Sequence, residues 1–454
     1  MQNIHRASFG SKIAAVLVAA GSAVGLGNIW RFPYEAGNHG GAAFILVYLG
    51  CVFFLGLPIM VAEFTIGRRS KASTGKAYQM LAPGTPWRWV GIWCVVVPFL
   101  ILGYYAVVAG WTLEYILQAG LNRFTGNQPE DYIASFQAFS QDPIRPILWL
   151  AVFMGLTHFV IVRGVKDGIE KSSKLLMPVL FILLILLAVG SMLLPNAEKG
   201  LSFLFNPDFS QLNADVFLGA MGQSFYSLSL GMGCLTTYAS YFSKETNLGR
   251  TAVHVGIIDS LVAILAGCII FPAAFSVGIQ PDAGPSLIFI TLPNVFQHAF
   301  TGVPLLGYVA SVMFYILLAL AALTSTISLH EVSTAYLHEA FHFSRGKAAR
   351  FITVGCFIVG IFASLSLGAL KDYTLFGMCV FDLIDFFTAK IMLPFGGLLA
   401  CLFVGWYLKR TIALDEVSNN GTLHSVFFSV YIFLLRYVAP IGILLIFVSE
   451  WGLI

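Results

Sequence analysis

Charged residues are scarce in this chain of 454 residues, where Asp, Glu, Lys and Arg together make up 10%. Soluble domains carry about 25% charged and roughly 45–50% apolar residues, whereas 58% of this chain is apolar. Such a composition excludes an ordinary soluble enzyme, which must cover its core with polar surface. The formal net charge of +3 gives no field to attract phosphates, so no nucleic-acid partner is expected. We expect a membrane protein with the lipid bilayer as its solvent.

Cysteine is also sparse, and its spacing fits neither disulfides nor a structural metal. The seven cysteines lie in or at the edges of apolar stretches, and no two of them form a CxxC pair. A disulfide framework or a structural zinc site is therefore not expected. The first apolar stretch lacks the small-residue cleavage site of a secretory signal, so we interpret it as a retained membrane span.

Long apolar runs dominate the sequence. A helix needs about 20 apolar residues to cross the hydrocarbon core, and the sequence predicts eleven such spans, numbered 1 to 11 in chain order. Their approximate bounds are 12-36, 41-66, 88-118, 146-163, 170-194, 215-242, 252-275, 304-337, 348-369, 380-408 and 422-450. The predicted fold is thus an all-α membrane protein in a single transmembrane domain, residues 1-454.

Lys and Arg are distributed unevenly between the two sides of these spans. With the N-terminus inside, 18 of them fall on the cytoplasmic side and four on the outer side. Cytoplasmic loops carry an excess of Lys and Arg. We therefore expect a cytoplasmic N-terminus and, after an odd number of spans, a C-terminus outside.

Spans 1 and 6 share a glycine-rich segment in mid-membrane: Gly21-Ser-Ala-Val-Gly25-Leu-Gly27-Asn28 and Ser227-Leu-Ser-Leu-Gly231-Met-Gly233. Each glycine costs about 1 kcal/mol in a helix interior, and freed backbone groups are tolerated only where they line an enclosed cavity. For either span alone, close helix packing is the alternative explanation. Two such spans five apart predict an inverted repeat with a binding site at the midplane. The repeats would cover about 12-194 and 215-408, with an extra helix at about 422-450.

Three segments carry a family resemblance: Gly25-Leu-Gly27-Asn28-Ile-Trp-Arg31-Phe-Pro33-Tyr34, Ser229-Leu-Gly231-Met-Gly233 and Leu323-Thr324-Ser325. They resemble the neurotransmitter:sodium symporters, in particular the bacterial amino-acid branch, and the resemblance covers essentially the whole chain. It implies a sodium-coupled symporter, not an enzyme, that imports hydrophobic or aromatic L-amino acids by alternating access. It also implies the bacterial inner (plasma) membrane and unwound helices in spans 1 and 6. Many relatives have twelve spans, whereas eleven are predicted here.

The resemblance implies two sodium sites built from hard oxygen ligands, as a small hard cation needs. Sodium site 1 would use Ala23, Asn28, Ser227 and Asp259, and in the family the substrate carboxylate completes it. Sodium site 2 would use Gly21, Val24, Ala321, Thr324 and Ser325. Without the resemblance, we would interpret the hydroxyls of Thr324 and Ser325 as bonded back to carbonyls of their own helix.

The same mapping implies that chloride is not required. Chloride-dependent relatives hold the anion at positions that correspond here to Tyr48, Gln223, Ser227, Asp259 and Ala263. Asp259 stands where an asparagine is usual, and Ala263 offers no hydroxyl to an anion. The negative charge would then be part of the chain, the alternative being a buried aspartate paired with a neighbouring donor.

Eleven residues, mostly apolar, map onto the family's substrate pocket: Ala23, Leu26, Gly27, Ile101, Tyr105, Tyr226, Ser227, Ser229, Met232, Ser325 and Leu329. The backbone N–H groups of Leu26 and Gly27 and the Tyr105 hydroxyl would hold the substrate carboxylate. Gly25 stands where monoamine-transporting relatives have an aspartate that meets the substrate ammonium. The resemblance thus implies that this space is left for a substrate with its own carboxylate.

Ionisable groups inside spans are costly and functional by default. The resemblance implies an extracellular gate from Arg31 and Asp385 and an intracellular gate from Arg6, Glu339 and Tyr241, with Glu339 in place of the familiar aspartate. For four other ionisable residues in or near spans, structural pairing and a functional role are equally good explanations. They are Glu63, Glu114, Lys390 and Arg436. Gly168 and Pro178 predict that span 5 unwinds at its cytoplasmic end, an ordinary proline kink being the alternative.

One motif points to a different class of protein. His338-Glu339-Ala-Phe-His342 matches HExxH, which in zinc hydrolases places two imidazoles one helical turn apart. An intramembrane zinc metalloprotease is therefore the alternative function. A catalytic zinc also needs a third protein ligand and an open position, and no neighbouring span offers an obvious acidic partner. The sequence therefore favours the symporter.

Overall fold

The structure is a computed structural model that describes residues 7–124, 129–277, 287–299, 303–423 and 428–450. In these residues the chain is helical, and its β-structure is limited to one isolated bridge between Leu375 and Met378. The predicted all-α class is therefore confirmed.

Nine helices of the described residues are long and apolar enough to cross a membrane, and they match spans 2 to 5 and 7 to 11. Their bounds are Ala42–Ser70, Arg88–Gly120, Arg145–Val162, Val165–Met192, Leu248–Val277, Pro304–Ala340, Arg345–Leu365, Val380–Tyr407 and Phe428–Ser449. Each lies within a few residues of its predicted bounds or extends beyond them.

The two remaining spans are interrupted, as the glycine pattern predicts. Span 1 consists of Lys12–Ala23 and Gly27–Asn38, which are bent by 58° relative to each other. Span 6 consists of Ala214–Ser227 and Cys234–Ala239. Both halves of span 6 are too short to cross a bilayer alone, since a crossing takes about 20 residues. Counted as one span, the bent pair of span 1 brings the described residues to ten spans that are long and apolar enough to cross a membrane, while span 6 stays a prediction as a membrane crossing.

Spans 1 and 6 lie in the interior of the bundle. The first half of span 1 packs against spans 5, 7 and 8, and its buried residues are mostly small: Ala14, Ala15, Val18, Ala19, Ala20, Gly21, Ser22 and Ala23. Small side chains let helix backbones approach closely in a membrane. By contrast, spans 4, 5 and 9 expose large apolar side chains such as Phe159, Leu186 and Phe362, which suit contact with lipid.

Short helices that the apolar runs do not predict connect the spans. They are Thr74–Leu81, Pro129–Ser140, Ala197–Phe205, Leu292–Ala299 and Arg410–Val417. Five spans also contain π-helical turns: Gly27–Arg31, Val52–Gly56, Val165–Glu170, Phe386–Met392, Phe403–Tyr407 and Leu434–Val438. Such turns are frequent at functional sites.

Span 5 is helical through Pro178 in this structure. Gly168 lies in its π-helical turn, where an added Cβ would come 2.0 Å from the carbonyl oxygen of Val160. Close packing on span 4 therefore requires glycine here. The unwinding of span 5 stays a prediction.

Candidate functional site

The break in span 1 frees backbone groups, and neighbouring spans supply partners for them. Gly25 N donates to Asn28 Oδ1 over 2.9 Å, and Leu26 N donates to the Tyr105 hydroxyl over 3.2 Å. The Val24 carbonyl accepts from Ser325 Oγ over 3.2 Å. Because freed backbone groups cannot face lipid, such partners are what an interrupted helix needs in a membrane.

The break in span 6 runs through three residues with left-handed backbone, Ser229, Gly231 and Gly233, with φ of 54°, 79° and 74°. A Cβ on Gly231 would lie 2.2 Å from the carbonyl oxygen of Leu393, so span 10 packs directly on this backbone. Gly231 N donates to Glu63 Oε1 over 2.7 Å. The buried carboxylate of Glu63 in span 2 therefore binds the backbone of the break.

A cavity with an empty volume of about 490 Å³, including its open end, lies between the two breaks. All eleven residues that the sequence assigns to the substrate pocket line it: Ala23, Leu26, Gly27, Ile101, Tyr105, Tyr226, Ser227, Ser229, Met232, Ser325 and Leu329. The structure adds Ser22, Gly25, Asn28, Cys234 and Leu393 to the lining. The sequence gives no signal for Leu393, an apolar residue in an apolar helix, because span 10 reaches the cavity only through tertiary packing.

The side chains assigned to sodium site 1 meet beside this cavity. Asn28 Nδ2 donates to Asp259 Oδ1 over 2.7 Å and to Ser227 Oγ over 2.9 Å. Ser227 Oγ donates to Asp259 Oδ2 over 2.7 Å, and the Tyr48 hydroxyl donates to the same oxygen over 3.1 Å. These four side chains are buried. The carboxylate is thus held by three donors in a site that excludes water.

The residues assigned to sodium site 2 also come together, where span 8 faces the break in span 1. The Thr324 and Ser325 hydroxyls lie 3.4 and 3.2 Å from the Val24 carbonyl oxygen. Thr324 Oγ1 also donates to the Ala321 carbonyl over 2.9 Å, the bond within its own helix that the sequence left open. A Cβ on Gly21 would lie 3.6 Å from Thr324 Cβ. The five residues assigned to sodium site 2, which offer carbonyl or hydroxyl oxygens from spans 1 and 8, therefore lie close together.

A second cavity, with an empty volume of about 1180 Å³, lies beyond Tyr105, Tyr226 and Leu393, which line both cavities. Arg31 and Asp385 line this outer chamber. Arg31 pairs with Glu35 over 3.5 Å, and its guanidinium carbon lies 4.8 Å from the centroid of the Tyr226 ring. The two predicted gate residues therefore share a chamber, whereas the ion pair of Arg31 is made with Glu35.

The opposite end of the bundle, where span 1 begins, is closed by packed side chains. Phe9 packs on Tyr241 with ring centroids 5.7 Å apart. The Tyr241 hydroxyl donates to Glu331 Oε1 over 2.7 Å, and Arg345 pairs with Glu331 Oε2 over 2.5 Å. No sequence motif pointed to Glu331 or Arg345. A glutamate inside an apolar span was the signal that could have found this pair.

Glu339, the other predicted intracellular gate residue, contacts the turn after span 2. Its Oε2 atom accepts from the backbone N–H of Ser73 over 2.8 Å and from Ser73 Oγ over 2.7 Å. Its predicted partner Arg6 lies outside the described residues. The pairing of Arg6 with Glu339 therefore stays a prediction.

Besides Glu63, which binds the backbone of Gly231, two more of the charges left open by the sequence have partners in the structure. Glu114 accepts from Gln118 Nε2 over 2.8 Å and from Trp149 Nε1 over 2.5 Å, and it pairs with Arg145. Arg436 donates to the Gly405 carbonyl of span 10. Lys390 lines the outer chamber.

The geometry around the HExxH motif does not form a zinc site. Span 8 ends at Ala340, and His342 has a left-handed backbone with φ of 53°. His338 Nδ1 lies 2.6 Å from the Phe343 carbonyl oxygen. The two imidazoles therefore do not occupy successive turns of one helix. Across the described ranges, no three His, Cys, Asp or Glu side chains converge on a position for a metal ion.

Fold and site together define a class of protein. Two interrupted helices five spans apart enclose a mostly apolar cavity, and unwound backbone is tolerated in a membrane protein where it lines such a cavity. This is the architecture of secondary transporters with inverted repeats.

Comparison with known proteins gives the family. The chain matches the model of the sodium:neurotransmitter symporter family over residues 6–134 and 141–452, and it belongs to that family. It is therefore a sodium-dependent, multi-pass membrane transporter and not an enzyme, so the metalloprotease alternative is wrong.

Individual relatives agree with this assignment. The chain is 38% identical over 445 residues to YhdH, an uncharacterized sodium-dependent transporter of Bacillus subtilis, with 98% of this chain and 97% of the relative covered. It is 35% identical over 459 residues to an uncharacterized sodium-dependent transporter of Haemophilus influenzae, with 99% of both covered. The crystal structure of MhsT in complex with L-phenylalanine matches with a TM-score of 0.88 and 44% identity, over 98% of this chain and 100% of the other.

Proposed function

We propose that this transporter imports hydrophobic or aromatic L-amino acids together with sodium, by alternating access. The observation that carries the proposal is the cavity between the two helix breaks. Its side walls are apolar, with Ile101, Met232 and Leu329, while its polar groups gather at the break in span 1. A small-molecule site of this kind takes an apolar body and fixes it by a few polar groups. The match to MhsT, whose structure holds L-phenylalanine, supports the same substrate class.

The substrate carboxylate is held at the break in span 1. Leu26 N already donates to the Tyr105 hydroxyl, so both groups stand where a carboxylate can accept from them. The N-terminus of the second half of span 1 adds partial positive charge, which favours an anionic group. Gly25 leaves room for the carboxylate, because a Cβ there would lie 2.6 Å from Ser325 Oγ and 3.3 Å from the Tyr105 hydroxyl oxygen.

Sodium binds at two sites beside the substrate. Sodium site 1 uses Ala23, Asn28, Ser227 and Asp259, and the substrate carboxylate completes it. Sodium site 2 uses Gly21, Val24, Ala321, Thr324 and Ser325. Oxygen ligands suit a hard cation. Because one ligand of site 1 belongs to the substrate, each of the two raises the affinity for the other, which is the coupling that symport requires.

The Asp259 carboxylate removes the need for chloride. It provides a fixed negative charge next to sodium site 1, and its three hydrogen-bond donors keep it in place. Tyr48, Gln223 and Ala263 complete the region in which chloride-dependent relatives are expected to hold the anion. A diffusible anion would there meet a like charge that no water screens.

The two ends of the bundle differ, one holding a chamber and the other being closed, and this difference supports alternating access. The outer chamber with Arg31 and Asp385 leads to Tyr105 and Tyr226, while the other end is closed around Glu331 and Tyr241. The excess of Lys and Arg supports a cytoplasmic closed end and N-terminus, with the C-terminus outside, in the inner membrane of a bacterium as the family resemblance implies. The rocking repeats are residues 12-194 and 215-408, and residues 422-450 form a helix outside them.

Uptake of labelled L-phenylalanine by proteoliposomes with a sodium gradient tests the substrate class. Unlabelled leucine, isoleucine, tyrosine and tryptophan should compete, whereas phenethylamine, which lacks the carboxylate, should not. Unlabelled glutamate and lysine serve as controls: their charged side chains do not suit the apolar walls of the cavity, so they should not compete. Competition by phenethylamine equal to that by L-phenylalanine would contradict the proposed carboxylate site.

A further inference from the structure

A lipid-facing groove lies between spans 4 and 9, and among the described residues it shares no lining residue with the cavity between the two helix breaks. It has an empty volume of about 610 Å³ and is lined from span 4 by Ala151, Met154, Gly155 and His158 and from span 9 by Arg350, Thr353, Val354 and Phe357. Both rims expose large apolar side chains, Leu156 on span 4 and Ile358 on span 9. The groove therefore opens toward the hydrocarbon of the bilayer.

The polar residues of the groove lie at one depth. Arg345 Nε donates to the Ile161 carbonyl over 2.8 Å, which joins the end of span 4 to the beginning of span 9. At a rise of 1.5 Å per residue, His158 lies about 6 Å inside the end of span 4 and Arg350 about 7.5 Å inside that of span 9. Arg350 Nε donates back to the Gly346 carbonyl over 3.4 Å, toward the membrane surface. Its charge is thus near the headgroup level.

The fixed charge at this depth of the groove is positive, and no acidic residue of the described groove lining balances it. Among the described residues that line the groove, none carries a carboxylate. His158 Nδ1 and Thr353 Oγ1 are 2.8 Å apart, so these two polar side chains bond each other. Arg350 is the exposed fixed charge, and from its level the groove continues along span 4 for about seven residues, or roughly 10 Å.

We propose that this groove binds an anionic phospholipid, with the phosphate on Arg350 and an acyl chain along Gly155 and Val354. A neutral lipid would satisfy the apolar part and leave the guanidinium unpaired, and inorganic phosphate would leave the apolar part empty. Basic pockets between spans on the cytoplasmic side suit anionic headgroups. The groove is open at Gly155, because nothing lies within 4 Å of a Cβ added there.

Native mass spectrometry of the full chain in mild detergent tests the proposal. The protein is titrated with phosphatidylglycerol and, separately, with phosphatidylcholine of the same acyl chains. One basic residue near the membrane surface changes lipid affinity by about fivefold. We therefore expect about fivefold more phosphatidylglycerol than phosphatidylcholine bound to the wild type, and near equality for Arg350→Gln.

Two further variants separate charge from shape. Gly155→Phe fills the groove without a change of charge and should lower the binding of both lipids. Lys409→Gln removes an exposed charge after span 10 and should leave binding unchanged. Equal binding of the two lipids by the wild type would overturn the proposal. So would full displacement of phosphatidylglycerol by inorganic phosphate, or unchanged binding by Gly155→Phe. The comparison of Gly155→Phe with the wild type tests the proposal even if Arg350→Gln fails to fold.

Discussion

The side-chain amide of Asn28 donates to Asp259 Oδ1 over 2.7 Å and so joins the broken helix of span 1 to span 7. Asn28 also accepts from Gly25 N through its Oδ1 atom, which makes the same side chain part of the break itself. A cation or a proton on Asp259 would therefore act, through Asn28, on the backbone of the break in span 1.

Chloride dependence can be introduced at this position. Asp259→Asn combined with Ala263→Ser removes the fixed charge and supplies a hydroxyl, so an anion can take the vacated place. Uptake by the double variant should require chloride, while wild-type uptake should be the same in sodium chloride and sodium gluconate. A wild type that stops in gluconate would refute the role of Asp259.

Gly25→Asp tests the position of the substrate carboxylate. Two like charges about 5 Å apart repel by roughly 3 kcal/mol at an effective dielectric constant near 20, which lowers affinity about a hundredfold. Gly25→Asn is the matched control, because it brings the same bulk against Ser325 and Tyr105 without the charge. Binding of L-phenylalanine should therefore be much weaker for Gly25→Asp than for Gly25→Asn. Equal affinities of the two variants would place the carboxylate elsewhere.

Thr324→Ala combined with Ser325→Ala tests sodium site 2. The double variant removes two hydroxyls that face the Val24 carbonyl, so the sodium concentration for half-maximal uptake should rise steeply or coupling should be lost. Thr326→Ala is the control, since that hydroxyl bonds the Leu323 carbonyl and Thr157 of span 4. A sodium dependence that matches the wild type in the double variant would exclude this site.

The sequence predicts those elements that have a regular apolar pattern or that contain residues with a high free-energy cost in a membrane helix. Eleven apolar runs and the glycines at 25, 231 and 233 predict the spans and both breaks, because glycine and unwound backbone are expensive in lipid. The substrate pocket followed from matched motifs, and the structure brings all eleven residues to one cavity.

Other features could not be predicted because they depend on tertiary contacts. Leu393 reaches the cavity only because span 10 packs on the backbone of Gly231. Glu35 pairs with Arg31 one turn away on the same helix, while Asp385 shares the chamber. The HExxH match failed since span 8 ends at Ala340, in the middle of the motif.

The contact between spans 6 and 10 gives a further prediction. A Cβ on Gly396 would lie 2.1 Å from the Gly231 carbonyl oxygen, so Gly396→Ala must displace the break in span 6. Overpacking of this kind costs about 1–3 kcal/mol. We expect Gly396→Ala to unfold at lower temperature and to lose uptake. Gly190→Ala in span 5 has open space at its Cβ and should retain both properties. Wild-type uptake by Gly396→Ala would contradict the close contact.

The most direct test of sodium-coupled amino-acid transport is uptake of labelled L-phenylalanine into proteoliposomes, with an inward sodium gradient compared with an inward potassium gradient. Sodium-coupled transport predicts concentrative uptake with sodium, abolished when an ionophore dissipates the gradient, and only the background of protein-free vesicles with potassium. Equal uptake in the two gradients would contradict it.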